Sequence, residues 1–144
     1  MCLFCDFILE KEKNHMNGFP FIKIQETDDI LVFLAAPEKC AASTESDILV
    51  IPKQHFEFIE DVPKPIQDEL IQKSSEIAGI LRKKDGSSKI LLNNGSFANQ
   101  YIPHVHFHII PINKEKQHAL TNLSLEEHNN ISTLFKELLT FKNS

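Results

Sequence analysis

At 144 residues, with 42% hydrophobic and 24% charged side chains, the chain is sized for one globular domain that buries about two thirds of its unfolded surface. A formal charge of −5 argues against the broad basic footprint of a protein that binds nucleic acid polymers, and the short cluster Arg82-Lys83-Lys84 reads as a solvated helix end. No apolar run approaches the length of about 18 residues that a membrane span needs, and Asp6, Glu10, Lys11 and Glu12 interrupt any signal-peptide core, so cytoplasmic residence is expected.

The first feature along the chain is the pair Cys2 and Cys5. Cys-x-x-Cys suits two thiolate ligands of one metal, a redox pair or two incidental thiols, and the strand pattern that normally surrounds a thioredoxin-type pair is absent. Three cysteines, two of them this close, build no disulfide framework and point to a reducing compartment; Cys40 stands in a polar loop with no evident partner. Strands are expected over 20–25, 29–35 and 47–52. A long helix is expected over 65–84, opened by Pro65, carrying Ile66, Leu70, Ile77 and Leu81 at helical spacing and stopped by Asp85-Gly86. Further strands are expected over 88–94 and 104–110, then a second helix over 125–140 with Ser124 as N-cap and Glu127 in the capping-box position. No repeat or low-complexity tract intervenes. The pattern predicts an α+β fold: a mainly antiparallel five-stranded sheet, one long central helix and a C-terminal helix. Residues 1–112 form the domain, and 113–144 form an extension whose helix packs on it.

The last strand carries the chemistry. His104, His106 and His108 alternate with Val105, Phe107 and Ile109, a strict period of two that turns all three imidazoles to one face, roughly 6 to 7 Å apart. Imidazole near neutral pH serves as nucleophile, proton donor or metal ligand. Upstream, Asn93-Asn94-Gly95 and Gln100 form an amide-rich loop suited to phosphate oxygens.

These residues resemble the signature of the histidine triad (HIT) superfamily: His-apolar-His-apolar-His preceded by Asn-x-Gly and a Gln. Leu49-Val50-Ile51-Pro52-Lys53-Gln54-His55 resembles a second family block, and Cys2-Leu3-Phe4-Cys5 resembles the opening of its zinc-bearing branch. The resemblance spans residues 2 to about 111. It implies a homodimeric nucleotide hydrolase or transferase acting on purine nucleoside phosphoramidates or dinucleoside polyphosphates. His106 would attack the α-phosphorus and form a nucleotidyl-histidine intermediate. His108 would stabilise the phosphoryl oxygens or help the leaving group, His104 would complete the triad, and Asn93, Gly95, Gln100 and His108 would hold the phosphate. The resemblance also implies a structural zinc on Cys2, Cys5, His55 and His104, with no organic cofactor. It places Leu3, Phe4, Phe7 and Phe33 around the purine, although 11 phenylalanines must also pack somewhere and these positions suit a core equally well.

The chain departs from the family at several positions. Asp47 replaces a histidine before Leu-Val-Ile-Pro, where a carboxylate either accepts a hydrogen bond from an imidazole or simply ends a strand. Ala35 replaces an acidic ribose-binding residue, for which Glu38 or Glu45 would have to substitute from a longer loop. Tyr101 replaces a small hydroxyl residue. Two rival functions therefore stand beside the hydrolase: a catalytically weak nucleotide-binding or interaction module, and a zinc-dependent hydrolase with metal on two or three of the triad histidines.

Overall fold

The computed structural model describes residues 2–15, 20–35 and 47–113, together with positions 133 and 136. The elements in chain order are α1 (Leu3–Ile8), β1 (Lys23–Glu26), β2 (Ile30–Leu34), β3 (Ile48–Pro52), α2 (Lys64–Asp85), β4 (Ser87–Leu92) and β5 (Phe107–Ile112), with 3-10 turns at Ile59–Asp61 and Ser96–Ala98. The strands form one five-stranded sheet in the order β1-β2-β3-β5-β4, and each neighbouring pair is antiparallel. The α+β architecture with one long helix is thus as expected. The helix expected over 125–140 lies outside the described residues save for Thr133 and Lys136, as do Cys40, Glu38 and Glu45.

Every residue of β2 and β3 is buried, because the two faces of the sheet serve two cores. Ile30, Val32, Leu34, Ile48 and Val50 pack with Leu70, Ile77 and Leu81 of α2, while Leu31, Phe33, Leu49 and Ile51 pack with Cys2, Phe4 and Phe7 of the N-terminal segment. Strands buried on both faces lose the polar alternation of a half-exposed strand and become the apolar runs seen here. Helix α2 ends on Gly86, whose φ of +107° is a conformation side chains disfavour, and whose N–H donates to the Arg82 carbonyl at 2.8 Å.

One expectation needs correction. The histidine strand does not begin at His104: β5 starts at Phe107, and residues 104–106 are irregular. The register explains the delay. Ile48 pairs with Ile109 and Val50 with Phe107, so continuing the ladder would set Val105 against Pro52, which has no N–H to donate. On the other side β4 ends at Leu92 opposite Phe107. The backbone instead turns aside, and the Val105 N–H donates to the Phe56 carbonyl at 2.7 Å. The facial alternation survives: Val105, Phe107 and Ile109 join the core under α2, leaving the three histidines for the opposite side.

Candidate functional site

The N-terminal helix α1 brings the two thiols together. Cys2 is its N-cap, and the Cys5 N–H donates to Cys2 Sγ at 3.5 Å, so the ligand thiol also satisfies a free helix-terminal donor. Phe4 and Phe7 anchor this short helix to the sheet, with ring centroids of Phe4 and Phe33 5.2 Å apart.

Across from the thiols stand His55, just past the end of β3, and His104. Cys2 Sγ lies 3.5 Å and Cys5 Sγ 3.5 Å from His104 Nδ1, Cys5 Sγ lies 3.2 Å from His55 Nδ1, and the two Nδ1 atoms are 3.3 Å apart. All four ligand atoms fall within 4.8 Å of one another. A tetrahedral zinc, with bonds of about 2.3 Å to sulfur and about 2.0 Å to nitrogen, requires edges of about 3.3 Å between nitrogens and about 3.5 Å between nitrogen and sulfur. The four residues match these dimensions. The tautomer matches as well: His104 Nε2 lies 2.7 Å from the Pro52 carbonyl, which can only accept, so the ring proton sits on Nε2 and the Nδ1 lone pair faces the thiols. Burial and the neighbouring Cys2 push the Cys5 thiol up to about 11, and burial pushes His104 down to about 4. A cation between the four groups would favour thiolates and a neutral imidazole. His106 and His108 lie outside this group.

The next histidine is oriented by the first. His106 Nδ1 donates to the His104 carbonyl at 2.7 Å, so its remaining lone pair is on Nε2. Burial pushes His106 down to about 4, which keeps the imidazole neutral at pH 7. The residue is 6% exposed, and the Phe4 ring meets the imidazole in a T-shaped contact at a centroid distance of 5.3 Å. His108 follows with its ring centroid 4.9 Å from that of His106. Its Nδ1 lies 3.1 Å from Asp47 Oδ2. The buried Asp47 thus bonds an imidazole rather than merely ending a strand.

The amide-rich loop differs from its expected role. Gln100 Oε1 accepts from the Gly95 N–H at 2.7 Å, and its Nε2 donates to the carbonyls of Glu57 at 2.7 Å and Ile102 at 3.3 Å. Both ends of the side chain bond the protein's own backbone, so Gln100 fastens the loop and has no spare donor aimed at a phosphate. The Gly95 N–H is engaged in the same bond. Asn93 Nδ2 has a longer contact, 3.4 Å, with the Asn99 carbonyl, and its side chain is the expected phosphate donor left least committed. Asn94 in the same loop accepts from the Ile59 N–H at 3.1 Å and donates to Glu60 Oε1 at 2.9 Å. Together with Gln100 it ties the loop to the segment following His55.

The expected purine pocket is also altered. Phe4, Phe7 and Phe33 are buried, and Phe7 stacks on Phe21 at 4.4 Å while Phe33 meets Phe21 edge-on at 5.1 Å. Their faces are covered by one another, as a core requires, and only Leu3 of the four is half-buried. Ala35, the other departure on this side, is partly buried against the same cluster. A cleft of about 540 Å³ opens elsewhere, lined by Glu57, Phe58, Gln100, Pro103 and the loop 94–98, and Phe97 at its rim is fully exposed. Tyr101 is exposed too.

Comparison with known proteins finds relatives along most of the chain. The HIT domain model matches residues 19–115. The chain is 32% identical over 142 residues to the adenosine 5′-monophosphoramidase of Saccharomyces cerevisiae, covering 96% of this chain and 80% of that protein. It is 31% identical over 129 residues to an adenylylsulfatase of Arabidopsis thaliana, covering 88% of this chain and 59% of that protein. Among solved structures, a zinc-bound histidine triad family protein from Mycobacterium smegmatis superposes with a TM-score of 0.74 at 23% identity, covering 98% of this chain and 96% of that one.

Proposed function

Since the chain belongs to the HIT domain family, we propose that it is a nucleotide hydrolase that cleaves at the α-phosphate of purine nucleoside phosphoramidates or dinucleoside polyphosphates through a covalent nucleotidyl-His106 intermediate. The observation that carries the reading is the His106 tautomer. With Nδ1–H committed to the His104 carbonyl, Nε2 presents a lone pair from a neutral ring. Once Nε2 bonds phosphorus the ring becomes cationic, and the same carbonyl stabilises that charge. The monophosphoramidase and adenylylsulfatase among the relatives both act on adenosine nucleotides by name, which supports the substrate class.

Zinc is the metal that the Cys2, Cys5, His55 and His104 donor set supports, and a zinc-bound protein of the same fold agrees with it. Four protein ligands close a tetrahedral site, so the ion would act structurally, holding the N-terminal segment and His104 in place. Because only His104 of the triad belongs to the metal group, the donor geometry favours a histidine nucleophile over a metal-activated water. A homodimer completes the proposal: among the described residues β4 is an edge strand of the sheet, and Ile90 on it is exposed.

The test is release of AMP or GMP from a panel of nucleoside phosphoramidates and dinucleoside polyphosphates by the parent and by His106→Asn. Turnover confined to the parent supports the assignment. Nucleotide binding without product from either protein would sink it in favour of a binding module.

A further inference from the structure

Asp47 directly precedes β3, and its backbone carbonyl accepts from the Ala35 N–H at 3.0 Å, which fixes it beside the end of β2. Strand alternation puts it on the same face as Leu49, the register partner of His108, so the carboxylate lies diagonally across from that ring. The hydrogen bond from His108 Nδ1 to Oδ2 is 3.1 Å, with the Asp47 side chain 1% exposed and the His108 side chain 16% exposed. A carboxylate held this far from water is costly unless it is paired, and the imidazole is a partner able to carry positive charge. On the other side of the same ring, His108 Nε2 is buried with no hydrogen-bond partner among the described residues, beside the His106 ring. A buried polar atom left open next to a nucleophile calls for a partner brought by the substrate.

We propose that Asp47 is a positioning residue that grips the His108 ring by Nδ1 and turns Nε2 toward the departing group, so that the leaving-group role the resemblance implies for His108 depends on Asp47, most of all for a poor leaving group such as an amine or an alkoxide. The proposal rests on the hydrolase reading above. In the first step His106 Nε2 bonds the α-phosphorus while the bond from phosphorus to the amine nitrogen breaks. That nitrogen takes the bonding pair and the His108 Nε2 proton, and the neutral amine departs. In the second step water bonds phosphorus and gives its proton to His108 Nε2. The bond from phosphorus to His106 breaks, its electron pair returns to the ring, and the nucleoside monophosphate leaves with both histidines restored.

The experiment compares an adenosine phosphoramidate with an adenosine 5′-p-nitrophenyl phosphate, whose leaving group needs no proton. Asp47→Asn is expected to lower kcat/KM for the phosphoramidate roughly 100-fold and for the aryl ester less than about threefold. Adding it to His108→Gln should cause no further loss, because Asp47 acts through that ring. Equal losses on both substrates, or additive losses in the double variant, would overturn the proposal. If Asp47→Asn does not fold, Asp47→Glu, which keeps the charge and displaces it, decides: a loss selective for the phosphoramidate supports the role, and a uniform loss overturns it. Independently of turnover, a low-field proton resonance of the His108 Nδ1–H should be present in the parent and absent in His108→Gln. Its absence from the parent refutes the pairing. If the parent hydrolyses neither substrate, the hydrolase reading falls and the acid role with it, while that resonance still decides whether Asp47 holds the ring.

Discussion

His106 and Gln100 show how differently two polar side chains within one loop and strand are employed. His106 is held by one bond and leaves its other nitrogen for the proposed attack on phosphorus; on that proposal His106→Asn should reduce turnover by at least about 10⁴-fold while leaving nucleotide affinity within a few-fold. Rapid-quench product assays and equilibrium binding would separate the two effects. Gln100 is spent entirely on the fold. Gln100→Leu leaves the Gly95 N–H and two carbonyls without their partner and should cost about 1–3 kcal/mol, measured by urea denaturation. A phosphate-binding role would instead appear as a raised KM at unchanged stability. Residue type and spacing identified both positions, but the direction in which an amide points depends on backbone 43 positions away, at Glu57, and sequence spacing carries no such information.

Elements were legible in proportion to how strongly burial stamped them. The runs Ile30–Leu34 and Ile48–Pro52 and the helical spacing of Leu70, Ile77 and Leu81 all emerge where expected, because each fills a continuous core. Helix α1 was not foreseen. It has only six residues, a sulfur for its N-cap and phenylalanines three apart, Phe4 and Phe7, which fit a helix or an aromatic loop equally. The histidine segment misled in the opposite way: its alternation records which side chains are covered, and that pattern holds through 104–106 even where Pro52 denies the backbone a ladder. The candidate metal ligands, drawn from three separate segments, were legible because the resemblance links them, and in the structure their ligand atoms lie within 4.8 Å of one another. Among the turns, Gly95 adopts φ +108° and ψ 156°, a region almost closed to other residues. With nothing within 4 Å of an added Cβ there, the cost of Gly95→Ala is purely conformational. It should cost about 1–3 kcal/mol and lower kcat through the displaced loop, as thermal melts and steady-state assays on the same preparation would show.

At the scale of the molecule, an ion held by Cys2, Cys5, His55 and His104 would join the N-terminal segment, the segment just past β3 and the irregular segment before β5 into one cross-link. An ion present at about 1,000 times its dissociation constant adds about 4 kcal/mol, so chelation should lower Tm on the order of 10 °C and Cys5→Ser should show little further drop. Metal content by mass spectrometry should be one zinc per chain in the parent and near zero in the variant. Val105, Phe107 and Ile109 lie against α2 while the residues alternating with them are the triad histidines, so each step along this segment alternates between the interior and the candidate site. For protein engineering the consequence is a lack of modularity. Repacking libraries aimed at Leu70, Ile77 or Leu81 would move the proposed nucleophile without touching it, and variants selected for heat resistance would have to be screened for rate at every round.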